Sequence, residues 1–271
     1  MILFCLVQQR SFYKAVLVRP IERFLRRAST SLNYIFNKKD IEAIFIIASA
    51  RSGSYLLQGF LASHPEIDAV GEVINPDIVR GIRRQMVSRA ELFFHIKASI
   101  NKGKKRMVVA KLLEEQFAMH DLTVADLMHE FPKAKFVTLY RASLLDQYIS
   151  KKIAELTNVW KLGDKPAAEY KPQGFELDLQ DFDAFKQRMQ DFYQQLPEIE
   201  NQEQLVSLTY EDLTTNAQTI FETKVFPFLG LAPVTIETEF KKMNKKTHEQ
   251  TITNYSEVKD RLESKDYCLA V

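Results

Sequence analysis

The sequence has 271 residues, of which 46% are hydrophobic and 27% charged, with a formal net charge of +2. A chain of this length and composition buries a substantial core and forms one large globular domain or two small ones. Its two cysteines, one near each end, exclude a disulfide framework and favour a reducing compartment. No apolar run reaches the roughly 18–20 residues of a membrane span, and no signal-peptide pattern is present, so we expect a cytoplasmic protein.

The first 40 residues differ from the rest in charge, because they carry eight basic residues against two acidic ones. Pro20 can open a helix, and the apolar residues after it recur at helical spacing. We predict a basic N-terminal helical extension at 1–40, followed by an α/β domain at 41–271. The extension either packs on the domain or makes a peripheral contact with an anionic membrane at its inner face, and both alternatives stay open.

After residue 40 the chain alternates strands with helices. The predicted strands are 43–48, 107–112, 135–140 and 204–210. The predicted helices are 54–63, 121–131, 143–157, 181–195 and 214–229. Two glycines and two prolines predict a surface loop between 160 and 180. This alternation predicts an α/β fold with a central parallel sheet flanked by helices.

A run of small residues around one arginine, "SARSGS", joins the first predicted strand to the first helix. The first backbone N–H groups of a helix have no internal partner, and the helix dipole is positive there. Small residues let the backbone close around an oxyanion, and Arg51 adds a fixed charge with a planar set of donors. The Walker A pattern is absent, which disfavours a nucleoside triphosphate enzyme. The alternative is a purely structural turn.

A second arginine, Arg141, follows the strand 135–140 and precedes a helix that carries Ser150. Ligands of open α/β sheets bind outside the carboxyl ends of the strands. Two strands that each present an arginine there predict a ligand with two separated anionic groups. Alternatively, Arg141 forms a surface salt bridge with Asp146.

These segments together resemble a known family. The stretch "ARSGSYLL…SHPEIDAVGEVINP" resembles the phosphosulfate loop of sulfotransferases that use 3′-phosphoadenylyl sulfate (PAPS), and "LYRASLLDQYIS" looks like their 3′-phosphate site. "SLTYEDL" with "FLGL" is similar to their next strand–helix unit. The letters "GE.INP", "K…EQ" and "NY" look most like the bacterial carbohydrate sulfotransferases of the nodulation-factor and sulfolipid type. The resemblance implies a P-loop-like three-layer fold.

The resemblance also implies site residues. The residues expected to bind PAPS are Arg51, Ser52, Gly53, Ser54 and Tyr55 at the 5′-phosphosulfate, Arg141 and Ser150 at the 3′-phosphate, and Tyr210 near the adenine. The residues expected to act in catalysis are Glu72 as general base, with Arg51 and Lys111. The hormone and phenol enzymes place a histidine base two residues after the lysine, where this chain has Leu113. His64 is the alternative base, and Lys245 or Lys246 is the candidate for closing over the cofactor.

The acceptor is less defined by sequence. Residues 77–106 hold nine basic residues against two acidic ones, which is either a solvated helical face or a surface for an anionic glycan or a membrane. Trp160 either stacks on a sugar ring or anchors a loop. We expect a carbohydrate or glycolipid acceptor, no nucleic-acid partner and no metal, since the remaining histidines share no ligand spacing. The rival classes are a small-molecule kinase of the P-loop type and a non-catalytic anion- or membrane-docking protein.

Overall fold

The computed structural model describes residues 41–75, 88–160, 174–196, 203–238 and 246–263. These residues build a five-stranded sheet in the order β2-β3-β1-β4-β5, with every neighbouring pair parallel. The strands are β1 (Glu42–Ala48), β2 (Ile67–Glu72), β3 (Met107–Leu113), β4 (Lys135–Tyr140) and β5 (Leu205–Thr209). The predicted parallel sheet is thus confirmed. The predicted extension at 1–40 lies outside the described residues.

Helices connect the strands. They are α1 (Ser54–Ala62), α2 (Arg89–Ile100), α3 (Glu114–His120), α4 (Val124–Glu130), α5 (Leu144–Thr157), α6 (Leu179–Gln194), α7 (Tyr210–Thr215), α8 (Ala217–Ile220), α9 (Phe226–Leu229), α10 (His248–Thr251) and α11 (Tyr255–Glu263). A π-helical turn at Phe221–Val225 joins α8 to α9. Several helices begin at a hydroxyl or carboxylate that accepts from a first-turn backbone N–H, as Ser143 does for α5 and Asp178 for α6.

The core has two parts, one on each face of the sheet. Alternate residues of β1 point to opposite faces, as the two-residue period of a strand requires. Phe45 and Ile47 pack with α2, α5 and α6 on one face, whereas Ile44 and Ile46 pack with α1 and the helical segment 217–229 on the other. Helices therefore cover both faces, and the predicted three-layer arrangement is confirmed.

Two elements near the site differ from the sequence expectation. The sequence did not predict β2, whose "IDAVGE" contains two acidic residues and a glycine; a register shift between Ala69 and Gly71 marks a β-bulge there. The predicted strand 204–210 ends at Thr209, because Thr209 and Asp212 form a capping box that opens α7 at Tyr210.

Strand β1 lies at the topological switch point of the sheet. Its neighbours are β3 on one side and β4 on the other, so the connections diverge from its carboxyl end. Crevices at such points are the usual ligand sites of open α/β sheets. The segments that follow all five strands meet at this edge, and the candidate site is built from them.

Candidate active site

The loop after β1 makes a sharp turn into α1. Arg51 and Gly53 adopt left-handed backbone conformations, with φ angles of 66° and 95°. Gly53 is the N-cap residue of α1, and because it has no side chain, no side-chain hydrogen bond caps the first-turn N–H groups. The first turn of α1 also carries no acidic residue. A Cβ at position 53 would lie 2.5 Å from Cδ2 of Tyr210, so glycine is required by both conformation and space. The positive end of α1 is thereby left for an anion.

Buried side chains hold this loop from behind. The backbone N–H of Ser49 donates to the hydroxyl of Tyr193 at 2.9 Å, and that hydroxyl donates to the carbonyl of Leu139 at 2.8 Å. The Gln147 amide donates to Ser49 Oγ at 2.6 Å and to the carbonyl of Ala50 at 2.8 Å. Burial raises the pKa of Tyr193, so the phenol keeps its proton and remains a donor. The loop is therefore preorganised.

The side chain of Arg51 extends toward α5. Its Nε donates to Ser150 Oγ at 3.0 Å, and its Nη1 donates to the carbonyl of Trp160. The structure thus brings Ser150 together with Arg51, whereas the sequence paired Ser150 with Arg141. The Trp160 side chain is 40% exposed next to this contact. The roles of Arg51 and Ser150 in binding different anionic groups stay predictions.

A buried ion pair forms where β2 and β3 end. Gly71, with a φ of 71°, follows the bulge in β2, and the register then sets Glu72 opposite Lys111. Lys111 Nζ lies 3.3 Å from Glu72 Oε1, and both side chains are almost fully buried. The Tyr55 hydroxyl donates to the same oxygen at 3.3 Å, and the Tyr55 ring centre lies 3.0 Å from the ammonium.

Two amides hold the other oxygen of this carboxylate. Asn75 Nδ2 donates to Glu72 Oε2 at 2.6 Å, and Gln116 Nε2 donates to it at 3.0 Å. Gln116 is itself fixed, because its Oε1 accepts from the backbone N–H of Leu113 at 3.1 Å. The carboxylate and the ammonium are therefore held side by side at the carboxyl edge of the sheet. Sequence reasoning assigned no role to Asn75 or Gln116, although both stand within the quoted "GE.INP" and "K…EQ" letters.

The alternative base, His64, has both ring nitrogens engaged. Its Nδ1 accepts from the backbone N–H of Glu66 at 3.1 Å, which places the ring proton on Nε2, 3.2 Å from the carbonyl of Ala232. The side chain is 1% exposed. These contacts give His64 a structural role in the turn before β2.

A second cationic centre lies after β4. Arg141 is 6% exposed, and its Nη2 donates to Asp146 Oδ2 at 3.1 Å. The salt bridge considered from the sequence is therefore present; its arginine is buried, whereas the Asp146 side chain is 35% exposed. Arg141 Nε has no hydrogen-bond partner among the described residues. A buried donor of this kind is costly to leave unpaired, which is typical of a place where a ligand atom binds.

Tyr210 connects the two centres. The Arg141 guanidinium lies over its ring, 4.5 Å from the ring centre, and the ring edge covers Gly53 in the loop after β1. The residue predicted to lie near the adenine thus stands between the α1 N-terminus and Arg141. One aromatic ring therefore separates the N-terminus of α1 from the Arg141 guanidinium.

The predicted basic surface at 77–106 is largely neutralised where the structure describes it. Four of its bases form ion pairs, namely Arg89 with Asp126, Lys97 with Glu130, Lys105 with Asp68 and Arg106 with Glu66. Their acidic partners come from other elements, so counting charges along one segment missed them. Residues 77–87 of this surface, and Lys245, lie outside the described residues.

The described residues contain no group of three or more histidine, cysteine, aspartate or glutamate side chains that could hold a metal ion. Within the same ranges, no helix is long and apolar enough to cross a membrane.

The fold and the site together define an α/β protein in which the N-terminus of α1 and the buried Arg141 lie at the carboxyl edge of a parallel sheet, where such folds usually bind ligands. The profile described as "Sulfotransferase family" matches residues 43–235. The chain therefore belongs to the sulfotransferase family, which confirms the predicted enzyme class, that of PAPS-dependent sulfotransferases. No curated protein sequence matches the chain significantly.

Solved structures with a similar fold include three sulfotransferases. One is from Alicyclobacillus acidocaldarius, with 15% identity and a TM-score of 0.44, covering 82% of this chain and 94% of the other. A mouse sulfotransferase complexed with PAP has 14% identity and a TM-score of 0.44, covering 73% and 63%. The sulfotransferase domain from the curacin biosynthetic pathway has 19% identity and a TM-score of 0.41, covering 71% and 75%.

Proposed function

We propose that this sulfotransferase moves a sulfuryl group from PAPS to a hydroxyl of a carbohydrate or glycolipid. The observation that carries the proposal is the pair of anion-binding positions at one sheet edge. The first is the N-terminus of α1, which has no side-chain cap, and the second is buried Arg141 with its unpaired Nε. PAPS has a matching pair of anionic groups, the 5′-phosphosulfate and the 3′-phosphate.

The donor assignment follows the two positions. The loop Arg51–Tyr55 takes the 5′-phosphosulfate through the first amides of α1, and Arg141 takes the 3′-phosphate through Nε. Ser150 binds the same group as Arg51, the 5′-phosphosulfate, because the two side chains are already in contact. Tyr210 stacks near the adenine, since its ring lies between both positions. The fit is supported by the buried hydrogen bonds that preorganise the loop after β1 and by the burial of Arg141.

Sulfuryl transfer requires a group that accepts the hydroxyl proton and positive charges that offset the negative charge on the leaving phosphate. The acceptor oxygen forms a bond to sulfur while the bond between sulfur and the 5′-phosphate oxygen breaks, so that adenosine 3′,5′-bisphosphate (PAP) leaves. The hydroxyl proton passes to Glu72, whose carboxylate is held in place by Tyr55, Asn75 and Gln116. Lys111 and Arg51 offset the negative charge that develops on the leaving phosphate, as positioned cations do in phosphoryl transfer.

The acceptor class rests on the sequence resemblance and on Trp160. The resemblance is to bacterial carbohydrate enzymes, and Trp160 presents an exposed aromatic side chain while its carbonyl binds Arg51. Aromatic faces favour sugar rings because the ring C–H groups pack on them. The ion pairs of the surface at 77–106 favour an uncharged sugar hydroxyl over a strongly anionic glycan.

Transfer of radiolabelled sulfate tests the reaction and the acceptor together. The enzyme is incubated with labelled PAPS and separate pools of oligosaccharides, glycolipids, phenols and sterols. We expect label in the oligosaccharide or glycolipid pool, without any need for added magnesium. Labelling confined to phenols or sterols would contradict the acceptor class. Stabilisation by ATP and magnesium, without stabilisation by PAP, would contradict the donor.

The variant Arg141→Ala tests the 3′-phosphate position. The variant should weaken the binding of PAP far more than the binding of adenosine 5′-phosphate, because only PAP carries a 3′-phosphate. A charge-assisted contact contributes about 1.5–3 kcal/mol, or about one to two decades in affinity. Calorimetric titration of both ligands measures this. Equal weakening of the two would remove Arg141 from the role.

A further inference from the structure

An internal carboxylate already occupies part of the proposed 3′-phosphate position. Asp146 Oδ2 accepts from Arg141 Nη2 at 3.1 Å, while Arg141 Nε beside it has no partner among the described residues. Asp146 stands at the first turn of α5, and its side chain is 35% exposed. A phosphate that binds Arg141 would therefore come close to a second negative charge, which opposes binding.

A residue 102 positions away contacts the same carboxylate. His248, which begins α10, has its Nε2 at 2.7 Å from Asp146 Oδ1. A carboxylate only accepts, so the proton of this hydrogen bond is carried by Nε2. Arg141 thus donates to Oδ2 of Asp146, and His248 donates to Oδ1.

We propose that Asp146 and His248 set the affinity of this site for the donor's 3′-phosphate. Asp146 is an intramolecular competitor that holds Arg141 when the phosphate is absent. His248 offers the carboxylate a second partner, so that Asp146 gives up Arg141 to the phosphate without losing all of its hydrogen bonding. His248 therefore favours the bound state, whereas Asp146 opposes it. This inference rests on the proposed function, because it presumes that Arg141 binds the 3′-phosphate.

The contact also gives the segment after residue 246 a part in donor binding. His248 makes one contact between that segment and the Arg141 centre, and the backbone of the segment pairs with Phe175. The sequence expectation named Lys245 or Lys246 for the corresponding role. That role stays a prediction, and the contact of the His248 imidazole with Asp146 is separate from it.

The affinity of single variants for PAP tests whether Asp146 opposes PAP binding and His248 favours it. Asp146→Asn keeps the size of the side chain but removes the charge, and it should tighten PAP by about five- to tenfold. His248→Leu should weaken PAP by about three- to fivefold. His248→Gln is the matched control, because its amide N–H can replace Nε2–H, and it should bind PAP nearly as the parent does. Adenosine 5′-phosphate, which lacks the 3′-phosphate, should bind all three variants alike.

The double variant Asp146→Asn with His248→Leu separates this mechanism from a general structural role. Without the Asp146 charge the loss of His248 should no longer matter, so PAP should bind as tightly as to Asp146→Asn alone. Unchanged or weaker PAP binding by Asp146→Asn overturns the inference, as does an effect of His248→Leu that persists in the double variant. If Asp146→Asn fails to fold, Asp146→Ser replaces it, since the residue is at the helix surface.

Failure of the proposed function has a different outcome. In that case the parent protein would not bind PAP, or Arg141→Ala would weaken PAP and adenosine 5′-phosphate equally. Failure of the present inference leaves PAP binding and its dependence on Arg141 intact. The two results are therefore distinguishable in one set of titrations.

Discussion

Replacing Glu72 by glutamine should lower turnover by about 10²–10⁴-fold, which is the usual effect of removing a general base. The amide is nearly the same size but does not accept the acceptor's hydroxyl proton at neutral pH. The loss should appear in kcat and in kcat/KM together, because the proton moves only in the transition state. Steady-state kinetics with saturating PAPS measures both constants, and PAP titration should show an unchanged donor affinity.

The matched control for Glu72→Gln is His64→Gln. His64 is buried, both of its nitrogens are engaged in the turn before β2, and it should keep near-normal turnover. Its replacement lowers stability rather than catalysis, so both variants are assayed well below their unfolding temperatures. Normal turnover of Glu72→Gln together with a collapse of His64→Gln would reverse the assignment. Normal turnover of both would leave Lys111 as the next residue to test.

Replacing Lys111 by methionine should lower the free energy of unfolding by about 3–5 kcal/mol, because it leaves the buried Glu72 carboxylate without its countercharge. Lys111 is fully buried and Glu72 nearly so, and methionine fills a similar volume. Urea unfolding, followed by fluorescence, measures the change. Kinetics on the folded fraction then report whether Lys111 also contributes to transfer.

The double variant Lys111→Met with Glu72→Gln shows whether the loss arises from the unpaired charge. With both charges removed, the stability should recover most of the loss, since replacing a buried pair by neutral groups is often nearly neutral. Additive losses from the two changes would mean that packing at each position, rather than their pairing, carries the effect. In that outcome the ion pair has no special role in holding this edge of the sheet.

Much of the architecture follows from local sequence patterns. The apolar runs at β1, β3 and β4 are found in the structure within one residue of their predicted bounds, because buried parallel strands are continuous hydrophobic segments. The turn "SARSGS" was located correctly for a similar reason. Small residues and a glycine at positive φ are a local signature, and they depend on no distant partner.

Strand β2 was not predicted because its sequence lacks the continuous apolar pattern of a buried parallel strand. Its Asp68 accepts from the backbone N–H groups of Lys104 and Lys105, and Gly71 sits at the bulge. Both residues disfavour strand structure in isolation. Pairing with β3 and the bulge geometry compensate for that preference. These stabilising contacts exist only in the assembled sheet.

The sequence by itself determined the fold class, the family and the two arginines at strand ends. These follow from periodicity and short motifs, which neighbouring residues encode. The tertiary structure decided which side chains meet. The bulge and register set Glu72 against Lys111, Tyr193 and Gln147 brace the loop after β1, and His248 reaches Asp146 from 102 positions away. Such contacts depend on strand order and helix packing, because residues far apart in the chain become neighbours only when the layers assemble.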